Sequence, residues 1–214
     1  MTEMSPLGTS NSSGARRHQY DAETFANMRT NVGQPIFGVE VKITDDDNKE
    51  LPWDGVAFGA LKVRGPWICS SYFKLDGSSA HEDEDWFETG DVASIDSRGN
   101  VSITDRTKDV IKSGGEWISS IEVENCATGH PMVAEAAVIG RNHPKWGERP
   151  LLVVVKNGEG DVTPDELKTF LVGKIAKWWI PDDVQYIEEM PHTATGKIQK
   201  MKLREMFNDY QFPA

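Results

Sequence analysis

Cysteine, positive charge and long apolar runs are all scarce in this 214-residue chain. Its two cysteines, Cys69 and Cys126, stand far apart with no CxxC spacing and no histidine cluster beside them. A disulfide framework and a cysteine-based zinc site are therefore excluded, and a reducing, cytoplasmic setting is expected. Lys and Arg total 23 against 34 Asp and Glu, a formal charge of −11. A nucleic-acid or anionic-membrane surface needs clustered cations to displace counterions, so neither partner is expected and any phosphate site must be local. The longest apolar runs, such as Leu151 to Val155 and Trp178 to Ile180, fall far short of the roughly 20 residues that span a bilayer. No signal peptide is visible. His130, His143 and His192 lack metal-ligand spacing, and no Ser or Cys sits in a nucleophile elbow.

What is present suffices for ordinary cores, since 38% of the residues are apolar. From Val32 to Val101 short apolar stretches alternate with turns: Val39 to Ile43, Gly59 to Gly65, Trp86-Phe87 and Val92 to Ile95. Short strands punctuated by glycine predict a small barrel or sandwich. The polar stretch from Thr9 to Arg17 reads as a loop, and the acidic run from His81 to Asp85 as a solvated one. After Arg106 the character becomes mixed. Gly114-Gly115 looks like a hairpin turn, and Ser119 and Thr163-Pro164 look like helix caps. Val133 to Ile139 and Leu151 to Lys156 read as buried strands, Leu167 to Ile175 as a helix face running toward Pro181, Val184 to Ile187 as a strand, and Met201 to Phe207 as a last helix. The fold class expected is thus mixed α/β: a β-rich part over residues 1–105, then a compact α+β domain over 106–214.

Four segments in order carry chemistry. They are Met1-Thr2-Glu3; Trp86-Phe-Glu-Thr-Gly-Asp91; Asp105-Arg106 through Lys112-Ser-Gly-Gly-Glu-Trp to Glu124; and Pro191-His-Thr-Ala-Thr-Gly-Lys197 onward to Arg204. Together they resemble the signature segments of the adenylate-forming acyl-CoA synthetases over almost the whole chain. That resemblance implies the end of a large adenylation domain followed by the complete lid domain, with Lys108 as the hinge between them. Such enzymes turn a carboxylic acid, ATP and CoA into acyl-CoA, AMP and pyrophosphate through an acyl adenylate.

By the same resemblance Lys197 is the cation that meets the carboxylate at the α-phosphate, where two anions approach and charge builds. Asp91 would accept from both ribose hydroxyls of ATP, Arg106 would touch the same ribose, and Thr2 would donate to the α-phosphate. Glu3 would hold Mg²⁺. Gly114 and Gly115 would line the channel for the pantetheine arm of CoA, and Lys112 would reach the adenylate in the thioester-forming pose; His143 to Glu148 resembles the family's structural segment between two strands of the small domain, with Lys145 and Arg149 as candidates for contact with the CoA nucleotide. The resemblance also implies that Thr193, Thr195 and Gly196 keep the Lys197 loop loose. Plainer readings stand beside these: Asp91 as an Asp in a Gly-Asp turn, Lys197 as one of several solvated lysines with Lys200 and Lys202, and the paired glycines as a turn needing positive φ. The family's Ser/Thr/Gly-rich phosphate loop is not found here, and the Ser-rich Gly8 to Gly14 lacks its closing Gly-x-Pro-Lys. The expectation is therefore a chain whose N-terminal partner, the rest of the same enzyme, lies upstream, and which does not form acyl-AMP alone. A peptide-synthetase adenylation domain and a truncated nucleotide- or CoA-binding module are the alternatives.

Overall fold

The computed structural model describes all residues except 12–19, 23–24, 26–29, 75–80, 82–84, 159 and 214. Most of the stretch from Thr9 to Arg17, the last three residues of the Ser-rich run from Gly8 to Gly14, and the centre of the acidic run lie outside the described residues. The chain divides into two compact units, Met1–Lys108 and Asp109–Ala214.

The first unit opens on a 3-10 turn, Thr2–Met4, and a minimal strand pair, β1 (Thr9–Ser10) with β2 (Gln34–Pro35). Its body is a four-stranded antiparallel meander of β3 (Glu40–Thr44), β4 (Phe58–Arg64), β5 (Phe87–Ile95) and β6 (Val101–Arg106). Ile43, Val63, Phe87, Ala93, Ile95 and Val101 form its apolar core. The expected small barrel or sandwich is not what forms. The sheet is open, with β3 and β6 as its edges among the described residues, because each turn joins neighbouring strands of one layer and four strands are too few to close. Phe87 and the stretch Val92 to Ile95 belong to one strand, which Trp86 immediately precedes and which bends in its middle.

The second unit is built on a long antiparallel hairpin, β9 (Val133–His143) with β10 (Gly147–Lys156). Leu151, Leu152, Val153 and Val154 are all fully buried, as are Ala137, Val138 and Ile139. Burial without alternation means that both faces are covered. Ala137, Ile139, Leu151 and Val153 pack with Met190 and Leu203 on one side, while α1 (Ser120–Thr128) packs on β9 and α2 (Pro164–Leu171) on α1. β11 (Asp183–Tyr186) adds in parallel to β10, and a short hairpin of β7 (Ile111–Ser113) and β8 (Glu116–Ile118) joins at Gly147↔Ser113. α3 (Lys200–Met206) closes the cluster through Leu203. Among the described residues no helix is long and apolar enough to cross a membrane.

Both expected caps form. Ser119 Oγ accepts from the Glu122 amide at 3.2 Å, and Thr163 and Glu166 make a reciprocal capping box with Pro164 at the first helical position. The helix expected to run toward Pro181 stops at Leu171. Val172 leaves the helical region and Gly173 turns the chain at φ 78°.

Candidate functional site

In the first unit the bend in β5 decides the geometry. Gly90 sits at φ 73°, a conformation that costs glycine nothing and other residues about 1–2 kcal/mol. The register against β4 slips here, so that Ala60 pairs with Val92 and Lys62 with Glu88. The bulge is fastened: Thr89 Oγ1 donates to the Leu61 carbonyl at 3.0 Å, the Asp91 amide donates to Thr89 Oγ1 at 3.1 Å, and the Thr107 amide donates to the Gly90 carbonyl at 3.0 Å. Such bulges re-aim a side chain. The side chain aimed is Asp91, directly opposite Arg106 in the β5–β6 register, with Arg106 Nε 3.0 Å from Asp91 Oδ1.

Burial holds the Asp91 carboxyl above its ordinary value, and the Arg106 charge lowers it only in part. The reason is asymmetric exposure: the Asp91 side chain is 19% exposed while the guanidinium is 58% exposed and screened by water. A carboxylate kept half-buried at a stability cost beside a cation is a frequent mark of a functional site.

A pH prediction follows. A carboxyl raised in the folded state binds its proton more tightly there, so its contribution to stability is lost as pH rises from the ordinary value of 3.8 through the raised one. Asp91→Asn removes that loss. The Tm difference, variant minus parent, should grow in the variant's favour between pH 4 and pH 7 in thermal melts; a difference that shrinks over this range contradicts the assignment.

Thr2 and Glu3 lie in the opening turn. Glu3 is partly exposed and its Oε1 accepts from Tyr72 Oη at 3.2 Å. Lys108 is exposed in the turn that follows β6.

In the second unit Gly114 and Gly115 are the two turn residues of the β7–β8 hairpin, at φ 60° and 87°. Gly114 lies under Trp146, where an added Cβ would stand 2.9 Å from Cε3, and its amide donates to the Trp146 carbonyl at 2.8 Å. Gly115 has open space around it. Beside the hairpin runs a groove of about 530 Å³ lined by Ser113, Gly114, Glu116, Trp146, Arg149, Trp178 and Asp182. Lys112 is exposed, with Nζ 5.1 Å from the Trp117 ring centre, and Lys145 Nζ lies 4.4 Å from that of Trp146.

Arg149, at the floor of this groove, is bound within the protein. Its Nε and Nη2 grip Asp182 between 2.7 and 3.0 Å, Nη1 donates to Ser113 Oγ and the Trp178 carbonyl, and Nη2 also reaches the Ile180 carbonyl. Every nitrogen is engaged within the protein, so the residue is a strut beneath the groove. The tandem Trp178-Trp179 and the Trp146 of His143-Pro-Lys-Trp were the readable signs of this groove, and sequence reasoning passed over Trp146 and Trp178.

Lys197 stands exposed on a turn between Pro191 and Gln199. Hydrogen bonds within the turn shape it. Thr193 N–H donates to the Lys197 carbonyl at 2.8 Å, Gly196 N–H to the Thr193 carbonyl at 2.9 Å and Lys197 N–H to Thr193 Oγ1 at 3.2 Å, with Gly196 at φ 80°. Its threonines tighten the turn because their hydroxyls bond within it. Lys200 is also no solvated lysine, being held by Glu124 at 2.7 Å.

The structure thus brings Asp91 to Arg106 in one unit and gathers Gly114, Trp146, Trp178 and Arg149 around one groove in the other. The second unit carries a glycine hairpin and an exposed lysine turn on a small α+β body, and its residues 122–197 match the AMP-binding enzyme C-terminal domain. The chain is 54% identical to the 3-methylmercaptopropionyl-CoA ligase of Ruegeria lacuscaerulensis over 209 residues, covering 98% of this chain and 39% of that protein. It is 46% identical to the medium-chain fatty-acid CoA ligase of Ectopseudomonas oleovorans, covering 98% and 38%. Among solved structures, o-succinylbenzoate CoA synthetase from Bacillus subtilis with its acyl-adenylate intermediate aligns at a TM-score of 0.72 and 31% identity, over 91% of this chain and 39% of that one. The chain therefore belongs to the adenylate-forming acyl-CoA synthetases, corresponding to their C-terminal portion, and spans about 39% of the length of the first of these relatives.

Proposed function

We propose that this chain supplies the ribose-binding strands and the swinging lid of a cytoplasmic, AMP-forming acyl-CoA ligase acting on a short- to medium-chain carboxylic acid. A carboxylate oxygen of the acid attacks the α-phosphorus of ATP and pyrophosphate leaves. The CoA thiol then attacks the acyl carbonyl, AMP departs and the thiol proton passes to solvent. The observation that carries this reading is Asp91, turned by the Gly90 bulge and held half-buried against Arg106, since two carboxylate oxygens suit the vicinal hydroxyls of a ribose.

Lys197 offers a positive charge at the tip of a shaped turn, suited to the charge that builds at the α-phosphate. Thr2 offers a hydroxyl to the same phosphate. Glu3 fits a Mg²⁺ ion, because that ion takes one or two protein carboxylates and fills its remaining positions with water and substrate phosphates. When bound, Mg²⁺ would neutralise phosphate charge. The residues 1–108 are read as the end of the large adenylation domain and the second unit as the lid, pivoting at Lys108 between adenylation and thioester formation. In the second pose Lys112 reaches the adenylate, and the side-chain-free tip at Gly114 and Gly115 leaves room for the pantetheine arm beside the tryptophan-lined groove. The relatives' substrates, a thioether-bearing propionate and medium-chain fatty acids, support the substrate class.

The test is a chimera in which residues 1–214 replace the matching region of the Ruegeria ligase, assayed for pyrophosphate exchange and for CoA thioester formation. Loss of acid-dependent exchange would overturn the proposal. Within the chimera Gly115→Leu should lower thioester formation from supplied acyl-AMP by about tenfold or more and spare adenylation, because a side chain there meets no neighbour and projects into open space. Gly115→Ala is the control for positive-φ strain, about 1–2 kcal/mol. Equal losses in the two variants would assign the effect to strain rather than obstruction.

A further inference from the structure

Resting on Lys197 as the adenylation cation, we infer that Lys200 is a positioning residue, holding the Lys197 turn by tying the start of α3 to α1. The sign is a charge where the helix disfavours one. Lys200 is the first residue of α3, where unpaired N–H groups already present positive charge. An exposed lysine would extend into water. Instead its side chain is 12% exposed and its ammonium meets Glu124 Oε1 at 2.7 Å and Ser120 Oγ at 2.5 Å. Glu124, itself 15% exposed, also accepts the Val138 amide at 2.7 Å. One buried node therefore joins α3, α1 and β9.

Its position in the chain gives the node its consequence. Lys200 follows Gln199, whose amide donates to the Pro191 carbonyl at 2.8 Å and closes the base of the turn that carries Lys197. On the other side, Ser120 opens α1 directly after β8 of the glycine hairpin. Buried ion pairs add little net stability, since desolvation offsets attraction, but they discriminate strongly against other arrangements. The second tether of the turn, His192 Nε2 to Glu135 Oε2 at 2.8 Å, has side chains 34% and 37% exposed and is screened. Of these two polar tethers Lys200 is the better shielded, and it acts beside the core packing of Met190 and Ile198 at the base of the turn.

Amide hydrogen exchange on the 214-residue chain tests the anchoring. Lys200→Met should accelerate exchange at the Gly196 and Lys197 amides by about tenfold or more while the β9–β10 amides keep their rates, and Lys200→Arg should restore the parent pattern. In the chimera Lys200→Met should lower kcat for adenylation by about tenfold or more, toward the roughly 10² that an ångström of misplacement costs, with KM for ATP unchanged. If Lys200→Met does not fold, Glu124→Gln, which removes the ion pair but keeps an oxygen to accept the Val138 amide, is read in the same way. Unaltered exchange in the turn, or acceleration shared equally by β9–β10, overturns the inference. A loosened turn with unchanged kcat, in a chimera that still depends on Lys197, overturns the positioning role alone. A chimera indifferent to Lys197→Ala removes the catalytic reading beneath it.

Discussion

Lys197→Ala in the chimera should cut acyl-adenylate formation by about 10² to 10³, the scale for losing one preorganised charge-stabilising group, while conversion of supplied acyl-AMP to the CoA thioester continues at the parent rate. The expectation is this large because Lys197 is exposed at the tip of a turn that its own hydrogen bonds define. The substitution therefore removes the charge without disturbing what holds the backbone. Thr193 Oγ1 still accepts the residue-197 amide, and Gly196 still supplies the positive φ. Thermal stability should accordingly stay within about 0.5 kcal/mol of the parent, as for surface substitutions generally. Pyrophosphate exchange and single-turnover thioesterification measure the two halves separately. Equal depression of both would refute the division of labour between the lysine turn and the glycine hairpin.

The second large effect concerns stability. Arg149→Met should destabilise the second unit by about 3 kcal/mol, because it leaves the partly buried Asp182 with only His143 Nε2 at 4.0 Å and strips the donors from the carbonyls of Trp178 and Ile180. Only 13% of the Arg149 side chain is exposed, so the lost contacts are not replaced by water. Arg149→Lys should recover little, since an ammonium cannot reproduce the two-pronged grip on Asp182 made by Nε and Nη2. Urea denaturation of the chain gives the answer as a lower midpoint at unchanged slope. Should the midpoint hold while CoA affinity falls, Arg149 would be a ligand contact after all.

Local chemistry was the legible part of the fold. Ser119 and Thr163-Pro164 announced their helices because capping depends on adjacent residues, and Gly114-Gly115 announced a hairpin because only glycine takes two positive φ values cheaply. The continuous apolar runs of β9 and β10 announced burial on both faces. Closure of the first sheet was misread, since spacing between turns says nothing about which strands finally pair. The end of α2 was misread because Ile175 keeps the helical period even though Gly173 breaks the backbone before it.

The site divided in the same way. Asp91 and Arg106 come together through a cross-strand register, which no single segment encodes, although each residue stood out within its own motif. The bonds that hold Arg149 were not legible because its partners Ser113, Trp178, Ile180 and Asp182 come from distant parts of the chain. Lys200 and Glu124 are 76 positions apart, 200 minus 124. A lysine in a basic stretch gives no hint that a carboxylate on another helix has claimed it.

The β7–β8 hairpin shares one ladder position with β10, Gly147↔Ser113, beside side-chain bonds from Arg149 to Ser113 and from the Lys112 amide to Glu148, whereas β9 pairs with β10 along its whole length. Cooperative unfolding units follow such differences in ladder length. The hairpin should consequently be the first part of the second unit to exchange its amides and the last to dock as the unit folds, after the local β9–β10 hairpin has provided a template. On the proposal that this hairpin borders the path of a long flexible thiol, that path is thus edged by a segment held on a far shorter ladder than the body of the unit.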